Sequence, residues 1–220
     1  MPKCEACQVL LDDETADMMS QQFIAFDAEM TGLNPRTDRI VELGAVLFEN
    51  GVPTKTFSSL VNCGLYIRPS SQNVNHITNE SLKTAPREGK AYRSFLEFLG
   101  PSAQGKVLLC AHNAKCDFTF LSKALERCGL PGMFYFIDTL SLSRNLLNLQ
   151  DYKQQTIAEA LEIPNQDAHR ACNDALVCGQ IMCHLLEAYR QQKKSKSRQH
   201  VVRKQKIMEY VPFAGQKRIQ

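Results

Sequence analysis

A chain of 220 residues with 44% hydrophobic and 22% charged residues can bury a sizeable core, and it suits one compact domain with a tail better than two domains. No stretch approaches the roughly 20 apolar residues that a membrane helix needs, and the opening MPKCEACQVLLDDETADMM carries early acids and no long apolar segment, so a soluble, intracellular protein of the nucleus or cytoplasm is expected. The net charge of +3 hides an asymmetry: Arg190 to Lys206 holds eight Lys or Arg and no acid, leaving 18 basic against 23 acidic residues elsewhere, a balance of −5.

Residues 1–20 are polar, with several acids and a Met pair but no clear period, and read as a lead-in of uncertain order. Cys4 and Cys7 form a lone CxxC with no second pair to complete a zinc site, and the odd count of nine cysteines, several in core-like segments, points to reduced thiols. From Gln22 the pattern changes. FIAFDAEM, DRIVELGAVLFENG and KTFSSLVN read as three strands, the last two joined at the hairpin pair Asn50-Gly51. Ser81 to Leu99 predicts a turn and an amphipathic helix, VLLCAHN a buried strand leading into a helix at Asp117 to Cys128, and FYFIDTLSL a fifth strand. Ala171, Ala175, Cys178, Met182, Leu185 and Tyr189 alternate four and three apart, which lays one apolar stripe along a long last helix. The order β-β-β-α-β-α-β-α-α predicts an α/β fold, a mixed sheet with helices on its faces, over residues 21–189. Residues 190–220 read as a basic tail, of which 190–206 are expected to fray from the last helix.

Four acids and a histidine are candidates for chemistry. Asp27 and Glu29 stand two apart in a strand, so both carboxylates point to one side of an otherwise apolar segment. Such a pair either faces solvent on an edge strand or repels itself until a divalent cation compensates. Asp117 opens a helix, where an acid is favoured by the helix dipole in any case. Asp174 borders the buried stripe of the last helix, where a boundary acid paired with an Arg or Lys is the more common case. His169 precedes it by five residues, about 140° around a helix, so the two can share a site only if His169 lies in the turn before that helix. There it could accept a proton near neutrality, or be an ordinary surface histidine.

The combination is more specific than its members. DAEMTGL at Asp27 to Leu33, AHNAKCDFTFL at Ala111 to Leu121 and AHRACNDA at Ala168 to Ala175 resemble, in order and spacing, the three motifs of the DnaQ-like DEDDh exonucleases. IDTLSLSRNLL at Ile137 to Leu147 is similar to the segment after the second motif in the proofreading-subunit and PolC-type branch. The resemblance implies a ribonuclease H-like fold and hydrolysis of nucleotides from the 3′ end of single-stranded or 3′-ended nucleic acid with two Mg²⁺ or Mn²⁺ ions; DNA is expected before RNA, although the motifs themselves do not discriminate the two. It assigns Asp27, Glu29, Asp117 and Asp174 to the metals and His169 to the general base. Thr31, Gly32 and Leu33 would line the terminal-nucleotide pocket, with Ile77 as a further contact. VNHITNESL departs from the family's His-Gly-Ile-Thr segment, placing Asn75 and His76 where the His and Gly stand. Lys193, Lys194, Lys196, Arg198, Arg203 and Lys204 of the tail are expected to contact phosphates. The competing readings are a binding protein that keeps the fold without catalysis, and an enzyme of RNA or short oligonucleotides.

Overall fold

The structure, a computed structural model, describes the backbone of residues 4–165 and 169–209 and side chains up to Ser195. Six strands, β1 (Cys4–Gln8), β2 (Gln22–Met30), β3 (Ile40–Glu49), β4 (Val52–Leu60), β5 (Leu109–Ala111) and β6 (Gly132–Asp138), form one mixed sheet in the order β1-β6-β5-β2-β3-β4. β2, β3 and β4 run as an antiparallel meander, while β1, β6, β5 and β2 pair in parallel. The expected hairpin turn is present, with Asn50 and Gly51 both at positive φ (52° and 79°), the conformation that lets two residues reverse a twisted pair.

Alternation along β2 sorts the core into two layers. Phe23 and Ala25 face one side, joined by Val46, Phe48 and the apolar stripe of α8 (Ala171–Glu209). Ile24, Phe26 and Ala28 face the other, against α4 (Glu88–Leu99) and α5 (Lys115–Arg127) through Phe95, Phe118 and Leu121. Smaller helices complete the fold: α1 (Asp13–Gln21), α2 (Pro69–Asn75), α3 (Asn79–Lys83), α6 (Thr139–Leu146) and α7 (Gln154–Ala160). None of the described helices is long and apolar enough to cross a membrane.

Three expectations change. The first twenty residues contribute β1, in register with β6 from Cys4↔Gly132 to Gln8↔Phe136, and α1, whose start is closed by reciprocal Asp12 and Thr15 hydrogen bonds of 2.8 Å. Cys4 is half-buried and Cys7 exposed; three apart on a strand they point to opposite faces, so they cannot share a metal. The fifth strand stops at Asp138, whose carboxylate caps α6 by accepting from the Leu140 amide and Ser141 hydroxyl, so TLSL is helical. The last helix does not fray at residue 190: its backbone is helical to Glu209, and its polar extension is tied to α1 by Arg190–Asp17 and Lys193–Asp13 pairs.

Candidate active site

The acids converge at the carboxyl ends of β2 and β5, two parallel neighbours, the end at which open α/β sheets form their clefts. β2 lies in the middle of the sheet, hydrogen-bonded to β5 on one edge and β3 on the other, which excludes the solvent-facing edge strand as the explanation of Asp27 and Glu29. Both point to the face that α8 covers. A register shift between Glu29 and Met30 follows them and turns the chain away into the 31–38 loop. Asp117 enters from the first turn of α5, almost fully buried, and Asp174 from the first turn of α8.

His169 stands in the turn before α8, as the helical geometry required, at φ 68°. Its backbone N–H donates to Asp174 Oδ2 at 2.8 Å, which ties the turn to the acid. Ligand atoms of Glu29, His169 and Asp174 lie within 4.8 Å of one another, a group suited to one cation among the described residues.

The electrostatics are those of a site built for something positive. Burial raises the Asp27 carboxyl well above the usual carboxylate range, and the charges of Asp117, Asp174 and Glu29 push it further. Glu29 is pushed up to about 8 by burial and then by Asp174, Glu42 and Asp117. Asp117 rises to about 7 through burial, although its own amide and that of Ala28 donate to it and pull the other way. Asp174 is raised by burial, against the His169 amide. Four carboxylates, each raised by burial, match as oxygen donors the ligand preference of hard divalent cations such as Mg²⁺ and Mn²⁺.

Three residues at this site went unassigned in the sequence. Asn75 is buried; it lends a hydrogen bond to Glu29, and its Oδ1 accepts from the Ile77 amide at 3.1 Å. Glu42 on β3, directly opposite Glu29, is 1% exposed and binds Arg170. No period marks either residue; the cross-strand register places Glu42, and the fold of α2 against β2 places Asn75. Gly44, opposite Asp27, is where α8 touches the sheet: a Cβ there would stand 2.1 to 2.2 Å from backbone atoms of Ala171 and Cys172. Gly44→Ala must therefore lift the start of α8. We expect a loss of about 3 kcal/mol, a fall of roughly 6 to 12 °C in the melting temperature, and scanning calorimetry showing an unchanged midpoint would refute this close approach.

Thr31, Gly32 and Leu33 line a cavity of about 410 Å³ beside Glu29, together with Arg68, Ser71 and Asn75. Leu33 is 88% exposed, available to a planar ring, whereas the Thr31 hydroxyl is occupied by Asp38 Oδ1 (3.2 Å) and the Arg39 amide (3.1 Å). Ile77 is 3% exposed, packs with Val41, Ile67 and Leu82, and is not among the residues lining this cavity. In the tail, Lys193 reaches both oxygens of Asp13 and lies over the Tyr189 ring at 5.4 Å, so its charge is engaged within the chain. The side chains of Lys196, Arg198, Arg203 and Lys204 lie outside the described residues.

At one end of the six-stranded mixed sheet, four carboxylates converge beside a histidine. The RNase T exonuclease family profile matches residues 24–182, and the chain belongs to that family. It is 35% identical over 179 residues to the PolC-type DNA polymerase III of Caldanaerobacter subterraneus, covering 81% of this chain but 12% of that protein. It is 33% identical to the DNA polymerase III subunit epsilon of Treponema pallidum, covering 77% of this chain and 79% of the relative. The chain thus spans about an eighth of its PolC-type relatives. In fold it resembles E. coli exonuclease I in complex with a dT13 oligonucleotide (TM-score 0.67, 15% identity, 80% of this chain and 43% of that one). It also resembles exonuclease X in complex with 5′ overhanging duplex DNA (0.57, 22%, 76% and 91%).

Proposed function

We propose that the chain removes nucleotides one at a time from the 3′ end of single-stranded or 3′-ended nucleic acid, DNA in preference to RNA, with His169 as general base. The convergence of Asp27, Glu29, Asp117 and Asp174 with His169 at one sheet end carries this reading, and the polymerase-named relatives favour DNA. The four carboxylates would hold two Mg²⁺ or Mn²⁺ ions, which when bound lower the pKa of the attacking water and stabilise the leaving oxygen. Each residue then has a task of its own. Asp27, from the central strand, presents its two oxygens at the middle of the cluster. Glu29 and Asp174 face it from the strand end and helix start, and Asp117 holds the inner wall. His169, exposed and tethered through its own amide to Asp174, would accept the proton of the attacking water. Leu33 and the 31–33 backbone would seat the terminal nucleoside in the cavity beside Glu29. The intracellular location expected of such an enzyme belongs to the same reading.

Digestion of 5′-labelled single-stranded DNA, duplex DNA and RNA side by side decides it. A ladder of shortened labelled products is expected with Mg²⁺ or Mn²⁺ and none with EDTA, fastest on single-stranded DNA. Immediate release of the labelled end, or undiminished activity in EDTA, would sink the reading.

The basic extension of α8 serves the same function if it collects phosphates for an otherwise acidic body. Truncation after Ser195, which retains the pairs with α1, should raise KM for long single strands. It should also flatten the dependence of log affinity on log salt by about 0.7 for each phosphate that the extension neutralises in the full chain. Turnover on a saturating dinucleotide, too short to reach the extension, should stay within about twofold. Identical salt slopes for the two proteins would remove the extension from substrate binding.

A further inference from the structure

Glu42 is a buried acid that the proposed chemistry does not use. It lies beside the cluster, directly across from Glu29, where its charge helps push up both Glu29 and Asp174. An apolar side chain would seat α8 without adding a fifth carboxylate, so its placement needs another reason. The contacts supply one. Arg170 donates to Glu42 from Nη2 at 2.7 Å and from Nε at 3.2 and 3.3 Å to the two oxygens, a forked charge-assisted pair. The Ala171 amide, first of the orphan donors of α8, adds a bond of 3.1 Å to Oε2. Arg170 precedes the helix and has no side-chain oxygen with which to cap it, so Glu42 performs the capping from another strand. Gly44, two residues along on the same face, lets the helix come close enough for that carboxylate to reach.

We propose that Glu42 is a positioning residue whose carboxylate, gripping Arg170 and the first amide of α8, holds the turn that presents His169 to the acid cluster. Residue 169 is then fixed on both sides: its own amide is held by Asp174, and the next residue is held by Glu42. The inference rests on the reading of His169 as the proton acceptor. Glu42 acts through that histidine, so its loss should matter only while the histidine is there.

A double-mutant cycle with amide exchange tests this. In the wild-type background Glu42→Gln, which keeps the shape and loses the charge, should lower kcat about tenfold, with the oligonucleotide KM within about twofold. In the His169→Ala background the same change should cost less than about twofold. Arg170→Met should reproduce both results from the solvent side, which keeps the test available if a Glu42 variant folds poorly. By NMR, the Ala171 amide should exchange at least about tenfold faster in Glu42→Ala than in wild type, while Met182 and Leu185 amides stay protected. Equal losses of kcat in both backgrounds, wild-type kcat in both single variants, or unchanged Ala171 exchange would overturn the proposal. If His169→Ala alone keeps wild-type kcat, the histidine assignment fails instead, and the exchange measurement still decides whether Glu42 holds the turn.

Discussion

Asp27→Ala is expected to lower nuclease turnover by at least about 10³-fold while making the metal-free protein more stable. The first effect follows if Asp27 helps hold the cations, because several kcal/mol of transition-state charge stabilisation, taken as about 4, is a factor of about 10³. The second follows from the cluster's repulsion. Asp27, Asp117 and Glu29 all titrate above the unfolded range near 4, with Asp117 at about 7 and Glu29 at about 8. For acids shifted upward, ionisation is harder in the folded state, so the penalty is absent below about pH 4 and grows as pH rises toward 8. The wild type without metal should therefore lose stability across that window, and Asp27→Ala should lose less. With EDTA present, the melting temperature of the variant minus that of the wild type should be larger by several degrees at pH 8.5 than at pH 5.5. Mn²⁺ should raise the wild-type midpoint, and that of the variant little. A variant that digests a labelled oligonucleotide at the wild-type rate, or a stability difference that ignores pH, would contradict the role given to Asp27.

His169→Ala should lower kcat by about 10² to 10⁴, the range typical of losing a general base, and leave Mn²⁺ affinity nearly unchanged. The structure sharpens this test, because the ring lies within ligand distance of Glu29 and Asp174. A histidine that coordinates a cation would show itself in calorimetry as a large loss of Mn²⁺ binding. Backbone strain is separated by His169→Asn. Position 169 lies at φ 68°, where asparagine is at ease and alanine is not, and the amide that donates to Asp174 is retained in both. Equal losses of kcat in the two variants would locate the effect in the imidazole. A far smaller loss for asparagine would locate it in the turn.

The acids at positions 27, 29, 117 and 174 and the histidine at 169 were legible because their relations are local or carried by recurring spacings. Two residues apart on a strand share a face, and five apart on a helix do not, which placed His169 in a turn. The meander of β2 to β4 and the stripe of α8 were legible for the same reason, since period two and period 3.6 are written in adjacent residues. The capping pair Asp12 and Thr15 was also in the sequence as a start signal for α1, and the polar composition around it obscured it. Ile77 was placed toward the substrate by its motif, while burial among Val41, Ile67 and Leu82 gives it a packing role.

The sequence by itself determined the α/β alternation, the hairpin at Asn50-Gly51 and the set of groups able to meet at one site. Each is a property of neighbouring residues and of the periodicity of the element that carries them. Only the tertiary structure decided that β1 joins the sheet through β6, more than a hundred residues away, that β2 is central, and that Glu42 reaches Arg170 across the layer between sheet and helix. These depend on which strands pair and how closely a helix approaches them. Pairing register and approach distance are set by side chains far apart in the chain, such as Gly44 beneath Ala171, so no local window contains them.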